Sequence, residues 1–277
     1  MKKGFIIFAD GANYVNQALL CAASLHLKNK DVHISVITND TIPSKFINLF
    51  DQIIPIPLYN QDKSKTRYCI ENRWKIYHAS PYDQTIVLDS DTLVLQDLSQ
   101  WWSFLDQYYL YYVTDVLTYR QNNISNDYYR KVFTHNNLPN LYSGLHFFKK
   151  TKKSKEFYTW VELITNNWEA FYRQHLEHYY PQYASMDVTA AIACKLLGIE
   201  KEITCPKNSI IKFIHMKPNI QGWNQVKEKW TNQIGVYVTE NFDLIIGNYV
   251  QTGVFHYTEP CFFSYKLLQR YCEKIGL

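Results

Sequence analysis

The chain has 277 residues, of which 47% are hydrophobic, and a formal net charge of +4. That apolar content supports a sizeable buried core and excludes a disordered chain. The mild positive charge suits an anionic substrate and predicts no nucleic-acid partner.

Phe5-Ile6-Ile7-Phe8-Ala9 is a continuous apolar run, the pattern of a strand buried on both faces. Asp10 to Asn13 reads as a turn. From Tyr14 to Lys28, the residues Val15, Ala18, Leu19, Ala22 and Leu25 recur at helical spacing. Val32 to Ile37 reads as a second strand, so the chain opens β-α-β with a right-handed crossover. Ile42–Phe50 predicts a short helix, Gln52–Pro57 a third strand and Asn60–Thr66 a loop. A helix follows over Tyr68–Ala79. Ser80-Pro81 ends it, because the residue before proline avoids the helical region. Ile86-Val87-Leu88 then forms an apolar strand that runs into Asp89-Ser90-Asp91. Leu98–Leu105 predicts a helix, Tyr109–Val113 a strand reaching Asp115, and Gln121–Asp127 a loop.

In the second half, Leu141-Tyr142-Ser143-Gly144 leads into a strand over Leu145–Phe148. Lys149, Lys150, Lys152, Lys153 and Lys155 open a helix reaching about Arg173. Positive charge at a helix start opposes the helix dipole; it is either a solvated surface or a face for an acidic acceptor or a membrane. Met186–Leu197 predicts a helix and Ile210–Met216 a strand. Ile234–Val238 and Leu244–Ile246 read as short antiparallel strands, Gly253–Tyr257 as the last strand and Ser264–Lys274 as the terminal helix. The fold class is α/β: a mostly parallel central sheet flanked by helices, a small antiparallel element and a C-terminal elaboration. No repeat or linker divides it, so one domain is expected over residues 1–277, with 1–115 as a nucleotide-binding half and 116–277 as an acceptor and sugar half.

The six cysteines form no CxxC pair, and several lie in apolar runs, where a reduced thiol acts as a small hydrophobe. A reducing, cytoplasmic location is expected. No stretch reaches about 18 uninterrupted apolar residues, so no membrane span is expected and membrane contact is at most peripheral. Asp10 breaks the N-terminal apolar run, which argues against a signal peptide.

Asp89 and Asp91 carry the chemistry. A buried strand delivers both carboxylates to its C-terminal edge, outside which ligands sit in open α/β sheets. Two hard oxygen donors there suit Mg²⁺ or Mn²⁺, which in turn suits a diphosphate. Two carboxylates do not complete an octahedral shell, and a neutral imidazole is a fitting third donor. His215 and His256 each end an apolar strand and are both candidates. A phosphatase of the haloacid-dehalogenase type also ends a strand with two such aspartates, but with Thr four residues after the first. Here Leu93 holds that place, and the motif is not on the first strand.

Taken together and in order, several motifs resemble a GT-A-fold glycosyltransferase of glycosyltransferase family 8. They are Ala9-Asp10-Gly11 with Tyr14, Pro81-Tyr82-Asp83 leading to Leu88-Asp89-Ser90-Asp91, Asp115, Tyr142-Ser143-Gly144-Leu145, Asp187 and Phe255-His256-Tyr257. The resemblance implies that Ala9, Asp10 and Tyr14 hold the nucleobase, commonly uracil. It implies a basic residue near the diphosphate, Arg73 or Lys75. It assigns the metal, Mn²⁺ or Mg²⁺, to Asp89 and Asp91, with His256 preferred over His215 as the third ligand. Ser90 would lie near the ribose, while Asp115 and Ser143 would shape the sugar pocket. Family members follow the late His with Gly and Lys-Pro-Trp. His256-Tyr257-Thr258-Glu259-Pro260 lacks both, so phosphate neutralisation falls partly to another residue, such as Lys217. A second departure is Ser185-Met186 in place of Asp-Gln before Asp187, which leaves Asp187 as the candidate catalytic carboxylate.

The expected activity is a metal-dependent glycosyltransferase that moves a sugar from a nucleotide-diphosphate donor, a UDP-sugar, to an acceptor hydroxyl with retention. The acceptor could be a glycan, a lipid-linked sugar or a protein. The rival from another class is a catalytically silent nucleotide-sugar-binding protein. A nucleotidyltransferase would need a Gly-rich basic phosphate loop near the N-terminus, and none is present.

Overall fold

The computed structural model describes residues 1–59, 70–124, 130–206, 209–216, 232, 234–258 and 262–277. Its centre is a six-stranded sheet in the order β3-β2-β1-β4-β7-β6. The strands are β1 (Lys3–Phe8), β2 (Ile34–Ile37), β3 (Gln52–Ile54), β4 (Gln84–Asp89), β6 (Leu110–Val113) and β7 (Tyr142–Lys149). β3, β2, β1 and β4 run parallel; β7 is antiparallel to both β4 and β6. The continuous apolar runs are explained by burial on both faces. Phe5, Ile7, Ile86 and Leu88 point into one core, shared with the Ala12–Lys28 and Tyr265–Ile275 helices. Ile6, Phe8 and Val87 point into the other, beneath the Lys152–Asn166 and Met186–Leu197 helices.

A second sheet of three strands lies against the C-terminal edge of the first, in the order β5 (Thr92–Val94), β12 (Val254–His256), β8 (Phe213–His215). β12 runs antiparallel to β5 and parallel to β8. A third, β11 (Tyr249–Val250), β10 (Leu244–Ile246), β9 (Val236–Val238), is fully antiparallel.

Several elements differ from the sequence reading for local reasons. Ile42–Phe50 contains a 3₁₀ helix, Ser44–Leu49, in which Phe46 and Leu49 are buried. A spacing of three stacks them on one side of a three-residue turn. The Tyr68–Ala79 segment, where described, is a 3₁₀ helix Ile70–Lys75 followed by one α turn, Ile76–Ala79. The long helix to Arg173 breaks at Asn167, whose backbone leaves the helical region, into Lys152–Asn166 and Trp168–His175. Three of the five lysines around its start make contacts within the chain. Lys149 pairs with Asp106 at 3.0 Å, Lys153 with Glu202 at 2.8 Å, and Lys150 lies over the Tyr77 ring while donating to the Tyr77 carbonyl. Among the described residues, no helix is long and apolar enough to cross a membrane.

Candidate active site

Asp89 is the last residue of β4 and Asp91 sits just before β5, so Asp89-Ser90-Asp91 is the turn where the chain steps from the central sheet to the second one. Thr92 closes the turn, its Oγ1 donating to the Asp89 carbonyl at 2.7 Å. β5 then pairs with β12 in a register that sets His256 beside Thr92, and β12 pairs with β8 in a register that sets His256 beside His215. Two stretches distant in sequence therefore converge. The ligand atoms of Asp89, Asp91 and His256 all lie within 4.8 Å of one another. His256 Nε2 stands 3.0 Å from Asp91 Oδ1 and 3.8 Å from Asp89 Oδ2. Two carboxylates and one imidazole are a fitting donor set for Mn²⁺ or Mg²⁺. Space is reserved around them: a Cβ at Gly144 would stand 3.0 Å from Asp89 Oδ2.

The charges in this cluster hold one another. Burial opposes the Asp91 carboxylate, but the charge and hydrogen bond of His256, with Arg73 beyond, hold its pKa below the usual range. Burial likewise opposes imidazolium at His256, yet Asp91 first, then Asp89 and Asp187, push its pKa up. Arg73 donates to Asp89 Oδ1, leaving Oδ2 facing His256. His215 contacts His256 through Nδ1, 2.8 Å from the His256 Nδ1.

These groups form one wall of a cleft of about 420 Å³. Phe8, Asp10, Tyr14, Gln17 and Ser90 form another part of its lining. Asp10 is buried, and its two oxygens accept from Tyr59 Oη at 2.9 Å and Asn72 Nδ2 at 3.2 Å. Lys75 Nζ donates to Asn72 Oδ1 at 2.6 Å and to the Leu58 carbonyl. The 3₁₀ geometry stacks residues three apart, so Lys75 braces Asn72 from outside while Arg73 turns into the cleft. Ser90 Oγ reaches Gln17 Oε1 at 3.5 Å.

The third part is built by β7. Its register with β6 slips between Tyr112 and Val113, from His146 to Tyr142. Such a bulge re-aims side chains, and here Ser143 and Gly144 line the cleft. Asp187, in the first turn of the Met186–Leu197 helix, accepts from the Ser143 N–H at 2.8 Å and Ser143 Oγ at 2.6 Å. Its other oxygen accepts from Arg130. Burial works against the Asp187 charge, but Arg130 and both Ser143 hydrogen bonds outweigh it and hold its pKa low. Arg130 lies 3.8 Å from the centroids of both the Phe133 and Tyr142 rings and also donates to Asn140 Oδ1 at 2.7 Å.

Asp10, Tyr14, Arg73, Asp89, Ser90, Asp91, Ser143, Asp187 and His256 thus meet at one cleft, and His215 lines it as well. Among the described residues, Ala9, Lys75 and Asp115 do not line it. Ala9 is buried, with its N–H bonded to the Ile37 carbonyl at 3.0 Å. Asp115 stands beyond the end of β6, where burial raises its pKa. Lys217 lies outside the described residues. Gln17, Asn72, Arg130 and Tyr183 were not legible as site residues. Gln17 had a usable signal, lying three positions after Tyr14 on the same helix face; Arg130 had none.

No family model matches the sequence, and no curated protein matches it. Solved structures do match the fold. A galactosyltransferase, LgtC, in complex with donor and acceptor sugar analogs, superposes with a TM-score of 0.55 at 16% identity, covering 99% of this chain and 95% of that one. The fold is GT-A. An active-site mutant of LgtC gives 0.54 at 17% identity over the same shares. Mouse xyloside xylosyltransferase 1, in its apo form, gives 0.54 at 9% identity, covering 92% of this chain and 97% of that one.

Proposed function

We propose that this chain is a divalent-metal-dependent glycosyltransferase using a nucleoside-diphosphate sugar, read as a UDP-sugar, and retaining the anomeric configuration. The observation that carries the reading is the convergence of Asp89, Asp91 and His256 on a cleft whose lining also includes Asp10, Tyr14, Ser143 and Asp187. A nucleotide base, a diphosphate and a sugar need such environments side by side in one cleft. The GT-A fold of solved glycosyltransferases supports it.

In this reading Asp10 accepts from a base N–H and the Tyr14 ring stacks on the base. Ser90 meets the ribose. Asp89, Asp91 and His256 hold Mn²⁺ or Mg²⁺, which when bound supplies Lewis-acid stabilisation of the charge on the departing diphosphate. Arg73, fixed on Asp89, adds a permanent positive charge beside the same oxygens. Ser143 and Asp187 face the donor sugar. Asp187 stays ionised and well hydrogen-bonded, which suits a fixed negative charge near a carbon becoming oxocarbenium-like more than it suits a proton acceptor. The acceptor is a glycan, a lipid-linked sugar or a protein.

Titration calorimetry with UDP and Mn²⁺ tests the reading. Binding should require the metal and vanish in Asp91→Asn. Unchanged affinity in that variant would overturn it. A silent nucleotide-sugar binder is the second reading, favoured by Met186 where the family carries an amide. It would bind UDP with Mn²⁺ yet hydrolyse none of a panel of nucleotide-sugars.

A further inference from the structure

Residues 176–180 form a built feature that the cleft chemistry leaves unexplained. Asn136 is buried, and its carboxamide is fully used. Oδ1 accepts from the N–H groups of Glu177 at 2.7 Å and His178 at 3.0 Å. Nδ2 donates to the Val132 carbonyl at 2.8 Å and the His178 carbonyl at 2.6 Å. One amide therefore pins the backbone of two consecutive residues. Tyr179 comes next, with a positive φ of 50°. An aromatic residue with a Cβ avoids that region, and such strain persists only where neighbours over-determine it. Burial of the ring does not explain it, because Tyr179 is 61% exposed. Instead the ring leans on His135, 4.7 Å between centroids at 55°, with the Lys131 ammonium 5.0 Å from its centroid. His178 stands edge-on to His135 at 6.5 Å.

The platform is continuous with the cleft. Tyr180 packs edge-on against Tyr172, whose Oη accepts from the Ser185 N–H at 3.0 Å. Tyr183 and Ser185 line the cleft itself. Only three residues separate Tyr179 from Tyr183, a reach of about 14 Å when extended.

We propose that Tyr179, with His135 and His178, docks an outer sugar unit of an oligosaccharide acceptor whose end unit enters the cleft. This rests on the glycosyltransferase reading above. The Tyr179 ring is largely exposed and offers an apolar surface to the axial C–H groups of a pyranose, while His135 and Lys131 against the ring, and His178 beside His135, meet hydroxyls. A single ring with an ammonium over it and an imidazole against it is too small and too polar for an apolar protein-docking patch.

The test is a defined array of oligosaccharides of two to six units, probed with the full chain and with Tyr179→Ala, Tyr179→Gly and Tyr179→Trp. The wild type should bind at least one series, with affinity growing from two units to four. Tyr179→Ala and Tyr179→Gly should lose at least tenfold, and Tyr179→Trp should retain binding. Tyr179→Gly should melt no lower than the wild type, since glycine accepts the left-handed backbone; this separates lost docking from lost folding. Absence of wild-type binding, or equal binding by Tyr179→Gly, would overturn the proposal. Calorimetry with UDP and Mn²⁺ on the same samples keeps the two readings apart: failure there sinks the donor site, while Tyr179-dependent array binding would still uphold the platform.

Discussion

The Nδ1 atoms of His215 and His256 lie 2.8 Å apart, so one of them carries the hydrogen between the rings. If His256 Nε2 offers its lone pair to a metal, its proton sits on Nδ1 and His215 Nδ1 accepts it. His215 then fixes the tautomer and ring angle of the ligand without touching the metal. The two candidate histidines of the sequence would then take different parts in one arrangement. We predict that His215→Phe lowers Mn²⁺-dependent UDP affinity by about 10–100-fold, the range for lost outer partners of metal ligands. His256→Phe should abolish it. Calorimetry at fixed pH measures both, and equal losses in the two variants would contradict the division of roles.

Gly144 is tested by adding one carbon. A Cβ there would meet Asp89 Oδ2 at 3.0 Å, His256 Nδ1 at 3.2 Å and the Phe213 ring at 3.2 Å. Asp89 is held by Arg73, His256 by Asp91 and His215, and Phe213 is fully buried, so none has room to retreat. Gly144→Ala should therefore weaken metal binding by about tenfold, or about 1.4 kcal/mol. Circular dichroism should be unchanged. Wild-type affinity in the alanine variant would show that the cluster adjusts without penalty.

Why the sequence revealed some of this and not the rest follows from distance along the chain. Asp89 and Asp91 are separated by one residue, and the apolar run before them identifies a strand end without further help. The cores around Phe5-Ile6-Ile7 and Ile86-Val87-Leu88 are likewise local patterns. The meeting of His256 with His215 depends on a parallel register between strands about forty residues apart, which no local period encodes. Spacing does not separate Arg73 from Lys75, two positions apart, and only the 3₁₀ winding decides which faces the cleft. The bulge that aims Ser143 arises from the pairing of β6 with β7, and Arg130 reaches Asp187 across 57 residues.

Gly4 predicts a stability effect away from the site. A Cβ there would fall 2.3 Å from Cζ of the buried Tyr82 ring, whose hydroxyl is tied to Ser35 Oγ at 2.7 Å. A ring fixed at its far end cannot tilt away, so β1 or the ring must move. Gly4→Ala should cost about 1–3 kcal/mol, the usual penalty of overpacking. Urea denaturation measures it as a lower midpoint with unchanged slope. Gly4→Ala combined with Tyr82→Leu should recover part of the loss, because the branched side chain leaves the space the ring fills.

His146, buried outside the cleft lining, gives the molecule a pH dependence of its own. Its Nδ1 lies 2.8 Å from the Ser143 carbonyl, which can only accept, so Nδ1 carries the hydrogen and Nε2 accepts from Tyr158 Oη at 2.9 Å. The ring is fully buried, stacked on Tyr112 at 4.9 Å and 4°. Burial is the main reason its pKa drops from 6.5 to about 3, only partly countered by the Ser143 bond. The unfolded chain binds a proton near pH 6.5 that the folded chain refuses until about pH 3. Between those values the unfolded state holds more protons, so stability falls as pH falls, and above pH 6.5 the effect is absent. The slope should approach about 1.4 kcal/mol per pH unit. Replacing the ring by His146→Gln should remove one proton's share of that slope between pH 6 and 4, whatever its effect at pH 7. Urea unfolding at several pH values reads the two slopes, and parallel curves for variant and wild type would show that His146 does not govern this acid loss.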